Sequence, residues 1–292
     1  MKRPSIIAPA FLVLTLPVGL VVAKASLQAF PPHTIANSQL RVMAPTTAGR
    51  HYQLHIGLPA SYARETTRRY PVVFVTDAYW DFQKIEAIRG GLVYDRVVPE
   101  FIVVGLGYAG ENLDYDTLRR WELSPVPFGG AASGHAADFL RTIETEIIPF
   151  VEREYRADPS YRVLAGASLG GLFTLYSMYA RPDLFQAYIA ATPAVVVGNN
   201  WLFTYEEEFA KSGRAMKARL FVSGGGNEAP GFLGGILRFN QRIASRKTPG
   251  LAYQFRIIDG ERHAGMQLES YVRGLRFAFA PLAPESGPSP DR

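Results

Sequence analysis

Three residues of this sequence have the types and order needed to open an acyl bond: Ser168, Glu228 and His263. A serine hydroxyl is a poor nucleophile on its own. It needs a base to remove its proton, a carboxylate to hold that base in the right tautomer, and donors to meet the charge that develops on the carbonyl oxygen. Ser168 lies in Gly166-Ala167-Ser168-Leu169-Gly170-Gly171, a Gly-x-Ser-x-Gly pattern. Where a strand turns sharply into a helix around a nucleophilic serine, the residues two before and two after must be small for the backbone to close. Both are glycine here, so Ser168 is the expected nucleophile.

In an open α/β sheet the ligand crevice lies at the carboxyl ends of the strands, so the partners of Ser168 should follow strands. His263 does so, in Ile258-Asp259-Gly260-Glu261-Arg262-His263-Ala264-Gly265. The other histidines do not: His33 is in the lead-in, His51 and His55 are on an early strand, and His135 starts a helix. Glu228, in Ser223-Gly224-Gly225-Gly226-Asn227-Glu228, follows the penultimate strand and gives the order serine, acid, histidine. Asp183 sits in an Arg181-Pro182-Asp183 turn close after the nucleophile's helix, and Asp259 stands four residues before His263, so Glu228 is the expected acid. A Ser-His dyad without an acid stays open as an alternative. The oxyanion donors are expected at the amide of Leu169, which begins a helix, and at the amide of Tyr79, in the Asp77-Ala78-Tyr79-Trp80 turn.

The elements that must position these groups follow from the apolar pattern. Tyr52, Leu54, Ile56 and Leu58 alternate as on a half-buried strand, with residues 39–43 a candidate to pair beside it. Near-continuous apolar runs then recur at 70–76, 101–105, 161–165, 188–191, 220–223 and 253–258, as parallel strands buried on both faces require. Helical patterns fall between them, at 136–154, 169–179, 202–211, 235–245 and 266–279. Alternation of this kind predicts an α/β fold: a mostly parallel central sheet with an antiparallel N-terminal start and helices on both faces. The longest stretch without a pattern, 105–133, is expected to be an irregular loop over the site.

The termini carry no chemistry. Lys2 and Arg3 precede an apolar stretch from Ile6 to Ala23, and Ala23-Lys24-Ala25 offers a small-x-small cleavage site. That order predicts a signal peptide over 1–25, a periplasmic or secreted protein, and no stable membrane insertion after cleavage. The domain is expected over 30–280, and 281–292 as a flexible Pro-rich tail. With no cysteine there is neither a disulfide framework nor a thiolate metal site. A net charge of +5, scattered without long basic runs, points away from nucleic acid. The oligomeric state is not legible.

The segment Tyr70 to Ala78, the Gly166 to Gly171 elbow, the glycine-rich loop ending in Glu228, and His263 together resemble the Putative esterase family of α/β-hydrolases. That family includes enterochelin esterases, IroE-type siderophore esterases, S-formylglutathione hydrolase and mycolyltransferases. Arg119-Arg120-Trp121-Glu122-Leu123-Ser124-Pro125 is similar to an Arg-rich stretch of the siderophore-esterase branch. The resemblance implies an α/β-hydrolase fold and a serine esterase needing no metal or cofactor, with catecholate trilactones among its substrates. Two positions depart from the family pattern: Asp77-Ala78 stands for Asp-Gly, and Trp121-Glu122 for Arg-Asp. Arg119, Arg120 and Trp121 suit an anionic or aromatic ester through charge and stacking, and suit internal ion pairs equally well. A general carboxylesterase, an acyltransferase and a non-catalytic ligand-binding relative remain the alternatives.

Overall fold

Side chains pointing alternately to opposite faces of a strand divide the buried residues of this protein into two cores. In the computed structural model, which describes residues 34–47, 49–129 and 133–284, Val72 and Phe74 join one core while Val73 and Val75 join the other. Leu220 and Val222 likewise lie on one face and Phe221 on the other. The expected signal peptide and the tail beyond Pro284 fall outside the described residues. The chain divides into Met1–Thr34 and Ile35–Arg292, and every element described belongs to the second unit.

The sheet has eight strands: β1 (Ser38–Val42), β2 (Tyr52–Gly57), β3 (Tyr70–Val75), β4 (Ile102–Tyr108), β5 (Ala157–Ala167), β6 (Ala187–Ala191), β7 (Ala218–Gly225) and β8 (Leu251–Ile258). Their spatial order is β1-β2-β4-β3-β5-β6-β7-β8. β1 pairs antiparallel with β2, and β2 antiparallel with β4. All pairs from β4 to β8 are parallel, so both the antiparallel start and the parallel body match the apolar pattern.

Helices α1 (Ala78–Tyr94) and α8 (Gln267–Phe279) close one face, burying Phe82, Ile85, Tyr271 and Leu275. The opposite face is covered by α3 (Ala136–Thr142), α4 (Ile148–Glu154), α5 (Leu169–Ala180), α6 (Val197–Lys211) and α7 (Pro230–Arg246). A π-helical turn, Ile143–Ile147, joins α3 to α4 in one continuous run. Gly198, Asn199 and Asn200 have positive φ, which is why the regular part of α6 begins near Trp201, where the apolar pattern starts.

The stretch 105–133 is not one irregular loop. β4 continues through Tyr108, and a nine-residue helix, α2 (Tyr115–Leu123), follows with its first turn capped by Asp114, whose side chain accepts from the Thr117 amide at 3.1 Å. Only Glu122 and Leu123 of α2 are buried, and the helix is short and polar on average, so it offers too few apolar residues to stand out as a helix in the sequence.

α8 lies close on the sheet because residue 274 is glycine: a Cβ there would stand 2.5 Å from Ile189 Cγ2. Gly274→Ala is expected to lower stability by about 1–3 kcal/mol through overpacking, read as a lower urea midpoint. An unchanged midpoint would mean that α8 can lift off β6 without cost.

Candidate active site

β5 ends at Ala167 and α5 begins at Leu169, leaving Ser168 alone at the turn with φ 57° and ψ −116°. A left-handed φ on a non-glycine residue is strained and must be held by its surroundings. Here the Ser168 amide donates to Ala191 O at 3.0 Å, and Ser168 O accepts from Leu172 at 3.0 Å and Ala194 at 2.9 Å. The glycines at 166 and 170 are required by contact. A Cβ on Gly166 would lie 2.5 Å from the Gly170 backbone, and one on Gly170 would overlap Thr76 Oγ1.

His263 and Glu228 come from neighbouring loops, after β8 and β7, that are joined through their backbones. Gly226 N donates to Ile258 O at 2.8 Å, and Asn227 N to Glu261 O at 2.8 Å. Asn227 Nδ2 adds a bond to Gly260 O at 3.0 Å. Gly225 allows this approach, since a Cβ there would meet Glu261 O at 2.6 Å. The result places His263 Nδ1 2.9 Å from Glu228 Oε2, with the histidine side chain 42% exposed and the glutamate side chain 2%. Burial raises the Glu228 carboxyl's pKa, but hydrogen bonds from His263 and Thr192 outweigh it and hold the group below the usual carboxylate range.

Thr192 is the residue that sequence reading missed. Its hydroxyl donates to Glu228 Oε1 and lies 3.3 Å from His263 Nδ1. It sits just after β6 with φ 41°, and a single threonine in an Ala-Thr-Pro turn carries no signal that would have marked it.

Ser168 and His263 line one open pocket of about 300 Å³ with Asp77, Trp80, Asp81, Lys84, Asp116, Arg119 and Gln267. Leu169 and Tyr79 are the first residue of α5 and the second of α1. Amides at those positions have no acceptor within their own helix. The Tyr79 side chain turns aside, its ring stacked on Tyr115 with centroids 4.9 Å apart. The three residues expected to hold substrate are dispersed. Arg119 reaches the pocket, but its guanidinium is engaged by Asp77 through bonds of 2.9 and 2.8 Å. Arg120 pairs with Asp116 at 3.2 Å, and Trp121 stacks on His135 with centroids 3.8 Å apart. Neither Arg120 nor Trp121 lines the pocket, because on α2 they project from other faces than Arg119. Among the described residues no group of three or more histidine, aspartate or glutamate side chains is placed to hold a metal ion.

A model of the family described as Putative esterase matches residues 46–219, more than half of the chain. The chain belongs to that family. It is 26% identical over 269 residues to the ferri-bacillibactin esterase BesA of Bacillus subtilis, covering 86% of this chain and 92% of the relative. It is 29% identical over 158 residues to the siderophore triacetylfusarinine C esterase of Aspergillus fumigatus, covering 50% and 52%, and 26% identical over 166 residues to the apo-salmochelin esterase of Escherichia coli, covering 53% and 50%. Among solved structures, the BES protein from Bacillus cereus superposes with a TM-score of 0.77 at 24% identity, over 86% of this chain and 97% of that one. An IroE-like serine hydrolase from Shewanella oneidensis gives 0.77 at 22%, over 85% and 82%. The shared fold is the α/β-hydrolase fold.

The esterase also carries a buried acid outside the pocket. Glu122 on α2 accepts from Tyr52 Oη at 2.6 Å and lies 3.6 Å from Arg50 Nε. Burial raises its pKa more than Tyr52, Arg50 and Tyr108 lower it, to about 7. The folded state therefore keeps a proton on Glu122 that the unfolded chain releases near 4.5. As pH rises from about 4.5 to 7, this group removes up to about 1.4 kcal/mol of stability per pH unit. Glu122→Gln, which keeps an acceptor for Tyr52, is expected to make the fall in stability across that window shallower. Urea melts of both proteins at pH 5 and pH 8 measure it, and identical pH slopes would contradict the assignment.

Proposed function

We propose that this chain is an exported siderophore esterase acting through an acyl-enzyme on Ser168. One juxtaposition carries the reading: Ser168, held at φ 57°, shares a pocket with His263, and Glu228 stands 2.9 Å behind the imidazole. In this mechanism Ser168 Oγ attacks the ester carbonyl carbon while His263 Nε2 takes the hydroxyl proton. Nδ1–H stays bonded to Glu228, which stabilises the imidazolium without accepting its proton. The amides of Leu169 and Tyr79 meet the oxyanion. The tetrahedral intermediate collapses, the bond to the alkoxy oxygen breaks, and His263 returns the proton so that the alcohol leaves. Water then adds to the acyl-enzyme with His263 as base, the Ser168–acyl bond breaks, and the carboxylic acid departs as Ser168 regains its proton.

A siderophore ester as substrate is supported by the relatives, whose names specify ferri-bacillibactin, triacetylfusarinine C and apo-salmochelin. Export is supported by the order of the N-terminus: Lys2 and Arg3, an apolar stretch, then Ala23-Lys24-Ala25. The mature enzyme is then periplasmic or secreted, with residues 30–280 as its working domain.

Ser168→Ala is expected to lower kcat/KM on short p-nitrophenyl esters at least about a thousandfold and to abolish labelling by a fluorophosphonate probe. Glu228→Gln should cost about a hundredfold or more while Ser168 still labels, only more slowly. A labelled Ser168→Ala protein would move the nucleophile elsewhere, and an unchanged Glu228→Gln rate would leave a Ser-His dyad. Mass spectrometry of the exported protein should find a chain starting near Ser26; an intact N-terminus would remove the leader.

A further inference from the structure

The base of the relay is held through one nitrogen only. Both polar contacts of the His263 imidazole are made at Nδ1, 2.9 Å from Glu228 Oε2 and 3.3 Å from Thr192 Oγ1, and the side chain is 42% exposed. No hydrogen bond among the described residues reaches Nε2, the nitrogen that must take the Ser168 proton. A ring held at one atom can still tilt, and a tilt moves the far nitrogen most. Misplacing a reacting group by about 1 Å costs about a hundredfold in rate, so whatever limits the tilt bears on catalysis.

One side chain that does not line the Ser168 pocket bears on the imidazole: Phe232, near the start of α7. Its ring lies at 86° to that of His263 with centroids 5.1 Å apart, the edge-to-face arrangement that aromatic pairs prefer. Phe232 is half-buried and packs against the core on the α7 side of the sheet, so its own ring is held from behind. The chain delivers this ring together with the acid. Glu228 and Phe232 stand four apart in sequence, across the entry to α7, where Pro230 is the first residue and its φ is set by the pyrrolidine ring. The amides of Phe232 and Leu233 both donate to Ala229 O, at 2.9 and 3.0 Å. Gly235 seats the same turn against the segment that follows Thr192, since a Cβ there would lie 2.4 Å from Val196 Cγ1.

We propose that Phe232 is a positioning residue for the base: its ring limits the tilt of the imidazole about the Glu228 contact and keeps Nε2 turned toward Ser168 Oγ. Glu228 sets the tautomer, Phe232 sets the plane, and both come from the one short segment that opens α7. Phe232 acts through His263 and takes no part in the bond changes. The inference rests on the esterase reading of Ser168 and His263.

The test measures kcat and KM on a short p-nitrophenyl ester. Phe232→Ala is expected to lower kcat about tenfold while KM changes less than about twofold. Phe232→Tyr, which keeps the ring, should recover most of the rate, whereas Phe232→Leu, which keeps apolar bulk against the core without a ring, should recover clearly less. The deciding readout is made in His263→Ala, where the oxyanion donors and binding leave a residual rate: adding Phe232→Leu there should not lower it further. A full rate in Phe232→Ala, a Phe232→Leu variant as fast as Phe232→Tyr, or a further loss on adding Phe232→Leu to His263→Ala overturns the proposal and leaves the esterase standing. A wild-type protein that neither hydrolyses esters nor labels at Ser168, or a His263→Ala protein as active as the wild type, would instead remove the esterase reading and this proposal with it.

Discussion

The site depends on how closely three backbones can approach one another where β5 ends. Ser168 can hold its left-handed φ only because Gly166 and Gly170 let the turn close on itself and on Thr76 at the end of β3. Gly171 extends the same contact to the next strand, where a Cβ would lie 3.0 Å from Pro193 Cα. The order β3-β5-β6 at the centre of the sheet places these segments side by side, and parallel pairing brings their carboxyl ends to the same edge. The strain at Ser168 is thus held by packing on both flanks, and the hydroxyl is presented to the pocket without a flexible loop.

Much of this was legible in the sequence for physical reasons. Strands buried on both faces must be apolar throughout, so β3 to β7 announced themselves; β8 was read the same way, but it is the edge strand and only half-buried, with Ile258 alone fully covered. The elbow glycines are demanded by sterics that leave little choice of residue. Elements stabilised by local polar bonds were hidden. α2 rests on the Asp114 cap, spans only nine residues and is polar on average, so its short pattern did not stand out. Thr192 acts through a hydroxyl whose position is fixed by a turn, and nothing in its neighbours predicts which way it points. The Arg119-Arg120-Trp121 run illustrates the other limit: three adjacent residues that look like one binding motif are rotated by about 100° each on a helix and reach Asp77, Asp116 and His135 respectively.

The polar groups around the pocket are arranged in pairs across elements that are distant in sequence. Asp81 on α1 accepts from Tyr271 on α8 at 2.5 Å and from Lys84, which in turn reaches Gln267 on α8. The Asp77–Arg119 pair ties α2 to the turn that begins α1. These contacts brace the two helices and the turn against each other, so the pocket's charge is spent on its own architecture. What remains facing solvent includes the Trp80 ring, the Asp116 carboxylate and the exposed imidazole of His263.

The joining of the Glu228 and His263 loops has a consequence for divergence. Two of its three hydrogen bonds run from backbone to backbone, and such bonds are indifferent to side-chain identity. The seam asks chiefly that Gly225 stay small, which separates the placement of Glu228 against His263 from the side chains of the pocket walls. The walls contributed by α1, α2 and α8 can then change while the Glu228–His263 contact keeps its geometry.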